Sequence, residues 1–532
     1  MLARSAAGLA TASLGLLFLF APGRASTQQN APSIAPSSLP KITSVNPRFQ
    51  SYNIEMLEVT GGRFWKPYSA ISAPPHAAPS ASTTPSGMNP DLFSYRPPKD
   101  LSNARLRKLA AALGPAFLRV SGTWANTTYL PAEGEHLSAP PAGFNAILTR
   151  DQWKGVIDFA RAANAELVTS FATGMGTRNA DGIWNTAQAQ RLLDLTRSLN
   201  GHIAAAEYMN EPTFAPMAGA PKGYNGAQFA RDVRIFTGFM RQHAPDALLA
   251  EPGSVGESSD ASHNLGTKMP GFIPTPQLLE NIPASSIDVF SYHSYSGVSL
   301  RCASMGIPST TPDAALSEEW LARTDAILNF YRKQRDRFAP GKPLWITETA
   351  ETACGGDPWA STFLDSFRYL DQLGRLAKGG VKVQIYNTLA ASDYGLLDET
   401  TYTPRPDYWA ALLWHRLMGP VVLDSGVPLQ HGLHTYAHCM VDHTGGVTLL
   451  VIQNDRNAPR ALNLPRGGQR YTLSAPRLDG EEVILNGLPL SLGPDDQLPE
   501  LEPVAAHGGT EHFAPATITF IAFPDAHNSA CP

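Results

Sequence analysis

Short apolar runs alternate with helical patterns along residues 50–390. Eight runs rich in β-branched and aromatic residues predict strands: Gln50–Met56, Ala116–Gly122, Glu166–Ala172, Ile203–Glu211, Ala247–Pro252, Ile287–Tyr295, Pro343–Glu348 and Val381–Asn387. Segments between them have a helical period and predict helices: Ala104–Leu113, Trp153–Ala163, Ala187–Leu199, Gln228–His243, Glu318–Arg335 and Phe363–Ala377. Successive strand-helix units of this kind predict an α/β fold, a (β/α)8 TIM barrel, over residues 46–420.

The pattern changes after Leu423, where helical periodicity disappears. Alternating runs such as Gly446–Gln453 and Ala516–Phe523 are separated by Gly, Pro and Asp turns, which predicts a C-terminal β-sandwich domain over residues 421–532. A doubly wound open sheet competes with the barrel for the first part of the chain. It would need a Gly-rich phosphate-binding turn, and Gly174–Gly176 lacks the rest of that fingerprint.

The N-terminus has the pattern of an export signal. Arg4 precedes an apolar stretch from Ala6 to Phe20, and small residues flank a plausible cut after Ala25, so residues 1–25 are predicted to be a signal peptide. The apolar stretch is short for a membrane span, and no second run of about 18 apolar residues follows it. We therefore expect a secreted protein, extracellular or periplasmic, with no membrane segment in its mature form.

Two stretches are rich in Ser, Pro and Ala and lack periodicity. Residues 26–45 contain the first, which predicts a flexible leader. Residues 70–90 are the second and predict a long loop after the first strand.

Composition fits a globular chain and excludes some partners. The 532 residues are 43% hydrophobic and 16% charged, with a formal net charge of -5. This mildly acidic balance gives no electrostatic attraction for nucleic acid and disfavours a dedicated binder of sulfated polymers, which usually carries a basic groove. We expect no nucleic-acid partner.

The four cysteines lie far apart without a C-x-x-C pair, which in an exported chain indicates disulfides rather than metal ligation. Four cysteines allow three connectivities. Cys302 and Cys354 each follow a predicted barrel strand, whereas Cys439 and Cys531 both fall in the C-terminal region. We therefore expect the pairs Cys302–Cys354 and Cys439–Cys531.

Metal chemistry is poorly supported. His434 and His438 precede Cys439, but a strand there would place both histidines on one face and the cysteine on the other. We expect no metal and no cofactor.

Two carboxylates, Glu211 and Glu348, stand where predicted strands four and seven end. Active sites of TIM-barrel enzymes lie at the C-terminal ends of the strands, and glycosidic cleavage needs a pair of carboxyl groups. Asn210 offers an amide to a sugar 2-hydroxyl, and His293 and Tyr295 end strand six, where they can orient a carboxylate or bind the sugar. Ion-paired structural carboxylates and a satisfied core histidine are the alternatives.

A set of segments over most of the mature chain matches one known family: Leu106–Thr123, Trp184–Asp194, Tyr208–Pro212, Trp345–Thr349, Cys354–Gly356, Asp393–Asp398, Pro406–Trp409, His438–Cys439, Leu485–Leu490 and Cys531. Through them the sequence resembles glycoside hydrolase family 79, the family of β-glucuronidases and heparanases. The resemblance implies a retaining mechanism with Glu211 as acid/base and Glu348 as nucleophile, their carboxyl groups about 5 to 5.5 Å apart. It also implies the sugar contacts: Gly355, Gly356 and Tyr394 at the uronic acid carboxylate, and Asn53, Glu55 and Thr123 at the terminal sugar.

Departures from the family bear on the substrate. Family members that cleave sulfated chains bring basic side chains to the cleft, but here the loops Thr213–Lys222 and Pro252–Gly256 contain only Lys222 as a basic residue. Ala353 stands where many relatives carry a tyrosine, so recognition of the carboxylate could differ.

We therefore expect an exo-acting β-glucuronidase that releases glucuronic or 4-O-methyl glucuronic acid from glycans or glycoconjugates. Its partner would be a carbohydrate bearing a β-linked uronic acid; the sequence does not define the oligomeric state. The alternatives are an endo-acting, heparanase- or hyaluronidase-like enzyme, another barrel glycosidase acting on neutral sugars, and a secreted, non-catalytic carbohydrate-binding protein.

Overall fold

The computed structural model describes residues 31–70, 88–264, 268–269, 271–306 and 309–532. Its strands in these ranges are β1 (Lys41–Ser44), β2 (Gln50–Glu55), β3 (Gly62–Trp65), β4 (Phe93–Arg96), β5 (Ala116–Ser121), β6 (Thr128–Tyr129), β7 (Ala146–Ile147), β8 (Ala165–Ser170), β9 (Ile203–Glu207), β10 (Leu248–Ser254), β11 (Val289–Tyr295), β12 (Leu344–Ala350), β13 (Val383–Tyr386), β14 (Met418–Leu423), β15 (His434–Met440), β16 (Val447–Gln453), β17 (Arg460–Leu464), β18 (Gly468–Ser474), β19 (Ile484–Leu485), β20 (Leu488–Pro489), β21 (Val504–Ala506), β22 (Gly509–Phe513) and β23 (Thr517–Phe523). Its α-helices are α1 (Met56–Thr60), α2 (Ala104–Ala111), α3 (Arg150–Ala162), α4 (Ala187–Ser198), α5 (Gly226–His243), α6 (Thr275–Leu279), α7 (Glu318–Phe338), α8 (Phe363–Lys378) and α9 (Pro406–Leu417). The expected signal peptide lies outside the described residues, as does most of the expected loop over residues 70–90.

A closed barrel of parallel strands forms the larger part of the protein, in the order β2-β5-β8-β9-β10-β11-β12-β13. It closes where Gln384 of β13 pairs with Gln50 of β2. All eight predicted strands are present, so the predicted TIM barrel is confirmed. Two boundaries that bear on the site were wrong: β9 ends at Glu207, so Glu211 lies in the segment that follows it, and β12 continues to Ala350, so Glu348 lies inside the strand.

The barrel interior is filled by apolar side chains of unequal size. Phe117 and Trp345 pack with ring centroids 4.9 Å apart. Ala204 and Ala205 of β9 and Ala250 of β10 belong to the same buried cluster. The small residues leave room for the two large rings, so the interior of the barrel is packed with apolar side chains. Polar side chains gather at the C-terminal end of the strands.

Helices cover the outside of the barrel, and the six predicted ones are confirmed within a few residues. Helix α9 was missed because it lacks an amphipathic pattern. All but two of its residues are buried. It lies between the barrel and the C-terminal domain, which removes the polar face that marks a surface helix.

The C-terminal domain is an antiparallel sheet with the order β1-β14-β15-β16-β23-β18-β19-β20, and β21 pairs with β18. One face packs on the barrel helices through side chains such as Leu450 and Ile452. The opposite face carries Leu449 and Val451 and packs against the two-stranded sheet β17–β22. The alternation along β16 thus places a core on each face, and the predicted β domain is confirmed.

The expected flexible leader over residues 26–45 is wrong for its described part, residues 31–45. Strand β1 pairs antiparallel with β14, and Ile34 and Leu39 are buried in the outer core of the β domain. The side chain of Asn528 also donates to the carbonyls of Pro36 and Leu39, at 2.8 and 3.0 Å. The Ser/Pro-rich composition hid these few apolar anchors.

The two domains share one continuous core. Gly374 of α8 lies against the ring of Tyr436 on β15, where an added Cβ would be only 2.4 Å from the ring. His434 of the same strand is buried between Asp371 of α8 and Glu318 of α7. Close packing and buried charge therefore join the sheet to the barrel.

Both expected disulfides, Cys302–Cys354 and Cys439–Cys531, are present. His434 and His438 lie on the barrel side of β15, whereas Cys439 belongs to the outer core, as strand alternation predicts. Within the described ranges, no helix combines the length and the apolar character needed to cross a membrane.

Candidate active site

Glu211 and Glu348 line one cleft of about 870 Å³ at the C-terminal end of the barrel. Glu348 lies within β12, so a strand fixes its position. Glu211 follows β9 with φ 49° and ψ 59°, a left-handed conformation that is strained for a residue with a side chain, and Pro212 follows it. Strain of this kind persists where the surrounding structure holds it, often at functional sites.

The guanidinium of Arg119 organises the floor of this cleft. It lies on β5 and is completely buried. Its Nη1 donates to Glu348 Oε2 at 2.9 Å, and its Nη2 donates to Glu207 Oε2 at 2.7 Å. Nη2 also donates to Asn210 Oδ1 at 2.8 Å. Charge-assisted bonds from one rigid fork hold these groups in a fixed arrangement.

His293 of β11 lies between the two cleft carboxylates. Its Nδ1 is 3.0 Å from Glu211 Oε1 and 3.7 Å from Glu348 Oε2. Its Nε2 is 3.3 Å from Nη2 of Arg119. Nδ1–H is therefore placed to donate to Glu211, while Nε2 faces the Arg119 guanidinium.

Glu348 has a second donor on its other oxygen. The hydroxyl of Tyr295 donates to Glu348 Oε1 at 2.6 Å. Nδ2 of Asn387 donates in turn to the hydroxyls of Tyr295, at 3.2 Å, and Tyr394, at 3.1 Å. Both carboxylate oxygens of Glu348 are therefore oriented by neighbours.

The surroundings move the pKa values of the two cleft carboxyl groups in opposite directions. Burial has the largest effect on the pKa of Glu211 and raises it; the hydrogen bond from His293 lowers it, and the charge of Glu348 raises it again, so the pKa stays above its ordinary value. Burial also opposes ionisation of Glu348, but His293, Arg119 and the Tyr295 hydroxyl outweigh it and lower its pKa. The arrangement favours a protonated Glu211 beside an ionised Glu348, the division of roles between a general acid and a nucleophile.

Glu55 is a third carboxyl group at the cleft. Burial and the nearby charge of Glu348 raise its pKa well above the ordinary value. It lies directly against Gly122, where φ is 95° and an added Cβ would fall 1.6 Å from Glu55 Oε2. A glycine is therefore required at this position for the carboxyl group to fit.

The structure brings the predicted site residues together. Those that line the cleft are Glu55, Thr123, Glu211, Tyr295, Glu348 and Tyr394. Those buried beneath it, in contact with Arg119, are Asn53, Asn210 and His293. Gly355 and Gly356 are buried beside the cleft, following Cys354, which lines it.

Gly355 and Gly356 both have φ 83°. An added Cβ on Gly355 would lie 2.3 Å from Nη1 of Arg301, and one on Gly356 would lie 3.1 Å from the Tyr394 side chain. Arg301 donates to the carbonyl of Cys354 at 3.1 Å and pairs with Asp393 at 2.5 Å. The turn is therefore packed against a buried guanidinium that sequence reasoning did not identify.

Sequence reasoning also missed Arg119, Asn126 and Asn387. Arg119 had a usable signal, because it is a lone charge inside an apolar strand. Asn126 forms a reciprocal pair with the backbone of Asn210, both bonds at 3.0 Å, and nothing local in the sequence indicates that contact.

Glu211, His293 and Glu348 offer ligand atoms within 4.8 Å of one another, a spacing that could hold a metal ion. The Arg119 guanidinium already lies 2.9 Å from Glu348 Oε2. A fixed positive charge beside the same oxygen disfavours a second cation there.

A parallel barrel with a pair of carboxyl groups at the C-terminal end of its strands, joined to a β domain, defines the class of barrel glycoside hydrolases. Solved structures share the fold. A 4-O-α-L-rhamnosyl-β-D-glucuronidase from Fusarium oxysporum aligns over 93% of this chain and 99% of its own with a TM-score of 0.57 and 12% identity. An α-L-arabinofuranosidase from Thermotoga maritima aligns over 92% and 99% with a TM-score of 0.58 and 14% identity.

Sequence comparison identifies relatives within that class, although no family model matches the chain. Heparanase-like protein 1 of Arabidopsis thaliana is 24% identical over 486 residues, 81% of this chain and 86% of its own. Baicalin-beta-D-glucuronidase of Scutellaria baicalensis is 35% identical over 189 residues, 34% of this chain and 36% of its own. Inactive heparanase-2 of Homo sapiens is 26% identical over 418 residues, 73% and 66% respectively. The resemblance is confirmed: the chain is related to the heparanase-like proteins of glycoside hydrolase family 79.

Proposed function

We propose that the protein is a retaining, exo-acting β-glucuronidase with Glu348 as nucleophile and Glu211 as acid/base. The observation that carries the proposal is the pair of carboxyl groups whose pKa values are moved apart, with Glu211 raised and Glu348 lowered. Their facing oxygens lie within 4.8 Å. An approach this close is compatible with the separation of about 5 to 5.5 Å between carboxyl groups in retaining enzymes, whereas inverting enzymes hold the two groups about 6.5 to 9.5 Å apart.

In the first step Glu348 attacks the anomeric carbon and forms a glycosyl ester, while Glu211 gives its proton to the departing glycosidic oxygen. In the second step Glu211, now ionised, takes a proton from water, the water oxygen bonds to the anomeric carbon, and Glu348 leaves as a carboxylate. Arg119 and Tyr295 hold the Glu348 oxygens at 2.9 and 2.6 Å, so the nucleophile stays oriented through both steps.

Asn210 is suited to the sugar 2-hydroxyl. Its Oδ1 accepts from Arg119, which fixes the amide and leaves Nδ2 as a donor, 3.5 Å from the Thr123 hydroxyl. A contact to the 2-hydroxyl strengthens as the oxocarbenium-like transition state forms.

The uronic acid carboxylate is assigned to the turn of Gly355 and Gly356 with the Tyr394 hydroxyl. The buried guanidinium of Arg301 lies directly behind Gly355 and supports this assignment, because its positive field favours an anion even while it pairs with Asp393. The name of the Scutellaria relative is in line with a glucuronide substrate.

Export of the mature protein also belongs to the proposal. The two disulfides support it, because such bonds persist mainly in oxidising compartments.

The direct test is hydrolysis of a panel of chromogenic β-glycosides. We expect turnover of the β-glucuronide alone and loss of activity in Glu348→Gln. Glu319→Gln is a matched control, because that carboxylate is exposed on α7. Turnover of neutral glycosides instead would contradict the glucuronidase assignment, and silence of the whole panel would oppose catalysis of this kind.

There are two alternatives. One is endo action, as in a heparanase- or hyaluronidase-like enzyme. The other is a non-catalytic role, as the name of the human relative indicates for that protein. Chain-length analysis of products from heparan and hyaluronan separates exo from endo action. Single uronic acids support the proposal, and internal fragments contradict it. No release from these polymers or from the panel would favour a binding protein.

A further inference from the structure

The leaving-group side of the cleft is defined by Glu211. A general acid must reach the glycosidic oxygen, so the aglycone lies beside Glu211 and the segment that continues from it. Phe214, Met217 and Ala218 of that segment all line the cleft. Tyr295, Asn387 and Tyr394 instead form a hydrogen-bonded group beside Glu348, and these polar side chains are suited to the sugar. Other apolar residues, including Trp65 and Val298, line the rest of the cleft.

Two further apolar residues extend this surface. Val255 follows β10 and Trp124 follows β5, and both line the same cleft. We call Trp124, Phe214, Met217, Ala218 and Val255 the apolar wall. Trp124, Phe214 and Met217 are only partly buried, so apolar surface remains open to the cleft.

The aromatic members of the apolar wall are held from behind. The ring of Phe214 packs edge-on against Phe272 at 5.2 Å, and the ring of Trp124 packs edge-on against Phe64, also at 5.2 Å. Side chains fixed in this way lose little conformational freedom on binding, which favours affinity for a rigid apolar ligand.

Charge around the cleft disfavours an anionic aglycone. Among the described residues that line it, the ionisable acids and bases other than tyrosine are the three carboxyl groups of Glu55, Glu211 and Glu348, with no lysine or arginine. Lys222, from the same loop as Phe214, Met217 and Ala218, is not among the residues that line the cleft. A sulfated sugar there would lose water without meeting a cation.

We propose that the apolar wall selects glycosides with an apolar, ring-containing aglycone over sulfated or strongly hydrated sugar chains. This inference rests on the proposed glucuronidase function and adds the class of the leaving group. The wall contributes binding energy that a small or hydrated leaving group cannot use, so it raises kcat/KM for the apolar substrate.

The test compares methyl β-glucuronide with 2-phenylethyl β-glucuronide, because both release a simple alcohol and differ mainly in the apolar ring. Burial of a phenyl ring on the wall is expected to raise kcat/KM by about 10- to 150-fold. A ratio near one would overturn the inference while leaving the glucuronidase function intact. No turnover of either compound would instead count against the proposed function itself.

Met217→Lys places a cation in the wall and should lower the phenylethyl-to-methyl ratio about tenfold or more, while improving the relative kcat/KM for a glucuronide of a sulfated sugar. Met175→Lys is the matched control, because Met175 is 56% exposed and does not line the cleft. It should keep the wild-type ratio. If Met217→Lys does not fold, Met217→Gln supplies the same comparison. An unchanged ratio in the folded Met217 variant, or an equal fall in the Met175 variant, would contradict a role for the wall.

Discussion

His434 should make the stability of the protein depend on pH above neutrality. It is fully buried on β15, with Nδ1 2.6 Å from Asp371 Oδ1 and Nε2 3.0 Å from Glu318 Oε2. Burial opposes the charged imidazole, but Asp371 and Glu318 outweigh it and raise the pKa of His434 from 6.5 to about 9. The protonated ring therefore ties the C-terminal sheet to two barrel helices.

The magnitude follows from proton linkage. The folded protein keeps this proton up to about pH 9, whereas the unfolded chain releases it near pH 6.5. Between these values unfolding releases a proton, so the free energy of unfolding falls by about 1.4 kcal/mol per pH unit. The contribution is fully present below pH 6.5 and lost by about pH 9, and over this interval it amounts to at most about 3.4 kcal/mol.

The assay is urea denaturation of the wild type and of His434→Gln at several pH values between about 5 and about 9.5, a range that begins below the titration of the histidine in the unfolded chain and ends above its titration in the folded protein. The difference in the free energy of unfolding should be largest below pH 6.5 and shrink toward pH 9. His438→Gln is a matched control on the same strand, because burial lowers the pKa of His438 to about 4. Its contribution has the opposite sign of dependence and is lost as pH falls from 6.5 toward 4. A difference between wild type and His434→Gln that does not change with pH would refute the reasoning.

Three further predictions concern the site and the domain contact. The dependence of kcat/KM on pH should be bell-shaped, with a basic limb set by the raised pKa of Glu211 and an acidic limb set by the lowered pKa of Glu348. Glu211→Gln, assayed with a nitrophenyl glucuronide, should lose the basic limb. If the basic limb persists in this variant, another group is the acid. Arg119→Lys keeps the positive charge but loses the two-pronged guanidinium, so kcat should fall about 100-fold and the acidic limb of the pH profile should move to higher pH. An unchanged pH profile would refute control of Glu348 by Arg119. Gly374→Ala would place a Cβ 2.4 Å from the ring of Tyr436 and should cost about 1 to 3 kcal/mol in urea denaturation, whereas a gain in stability would contradict the close contact.

The barrel was predictable because its strands are short apolar runs separated by amphipathic helices, and both patterns follow from local burial. Helix α9 and the segment over residues 31–45 were not predictable in the same way. Both owe their structure to the contact between the domains or to partners far along the chain. Such tertiary contacts override the local pattern.

The residues of the candidate site also fall into those that local pattern predicts and those that depend on tertiary contacts. Glu211, Glu348, His293 and Tyr295 follow or end predicted strands, so barrel geometry alone brings them to one end. Arg119 was passed over, although its charge in an apolar strand was visible. The contact of Arg301 with the glycine turn depends on the loop that holds the Cys302–Cys354 disulfide, and periodicity carries no information on loop packing.

The central claim is a double displacement at the anomeric carbon by Glu348 with help from Glu211. The most direct measurement is proton NMR of the reaction mixture in the first minutes after enzyme is added to a β-glucuronide, before the free sugar equilibrates. Retention predicts that β-glucuronic acid appears first and the α-anomer only later, by mutarotation. First appearance of the α-anomer would show inversion and contradict the assignment of Glu348 as nucleophile.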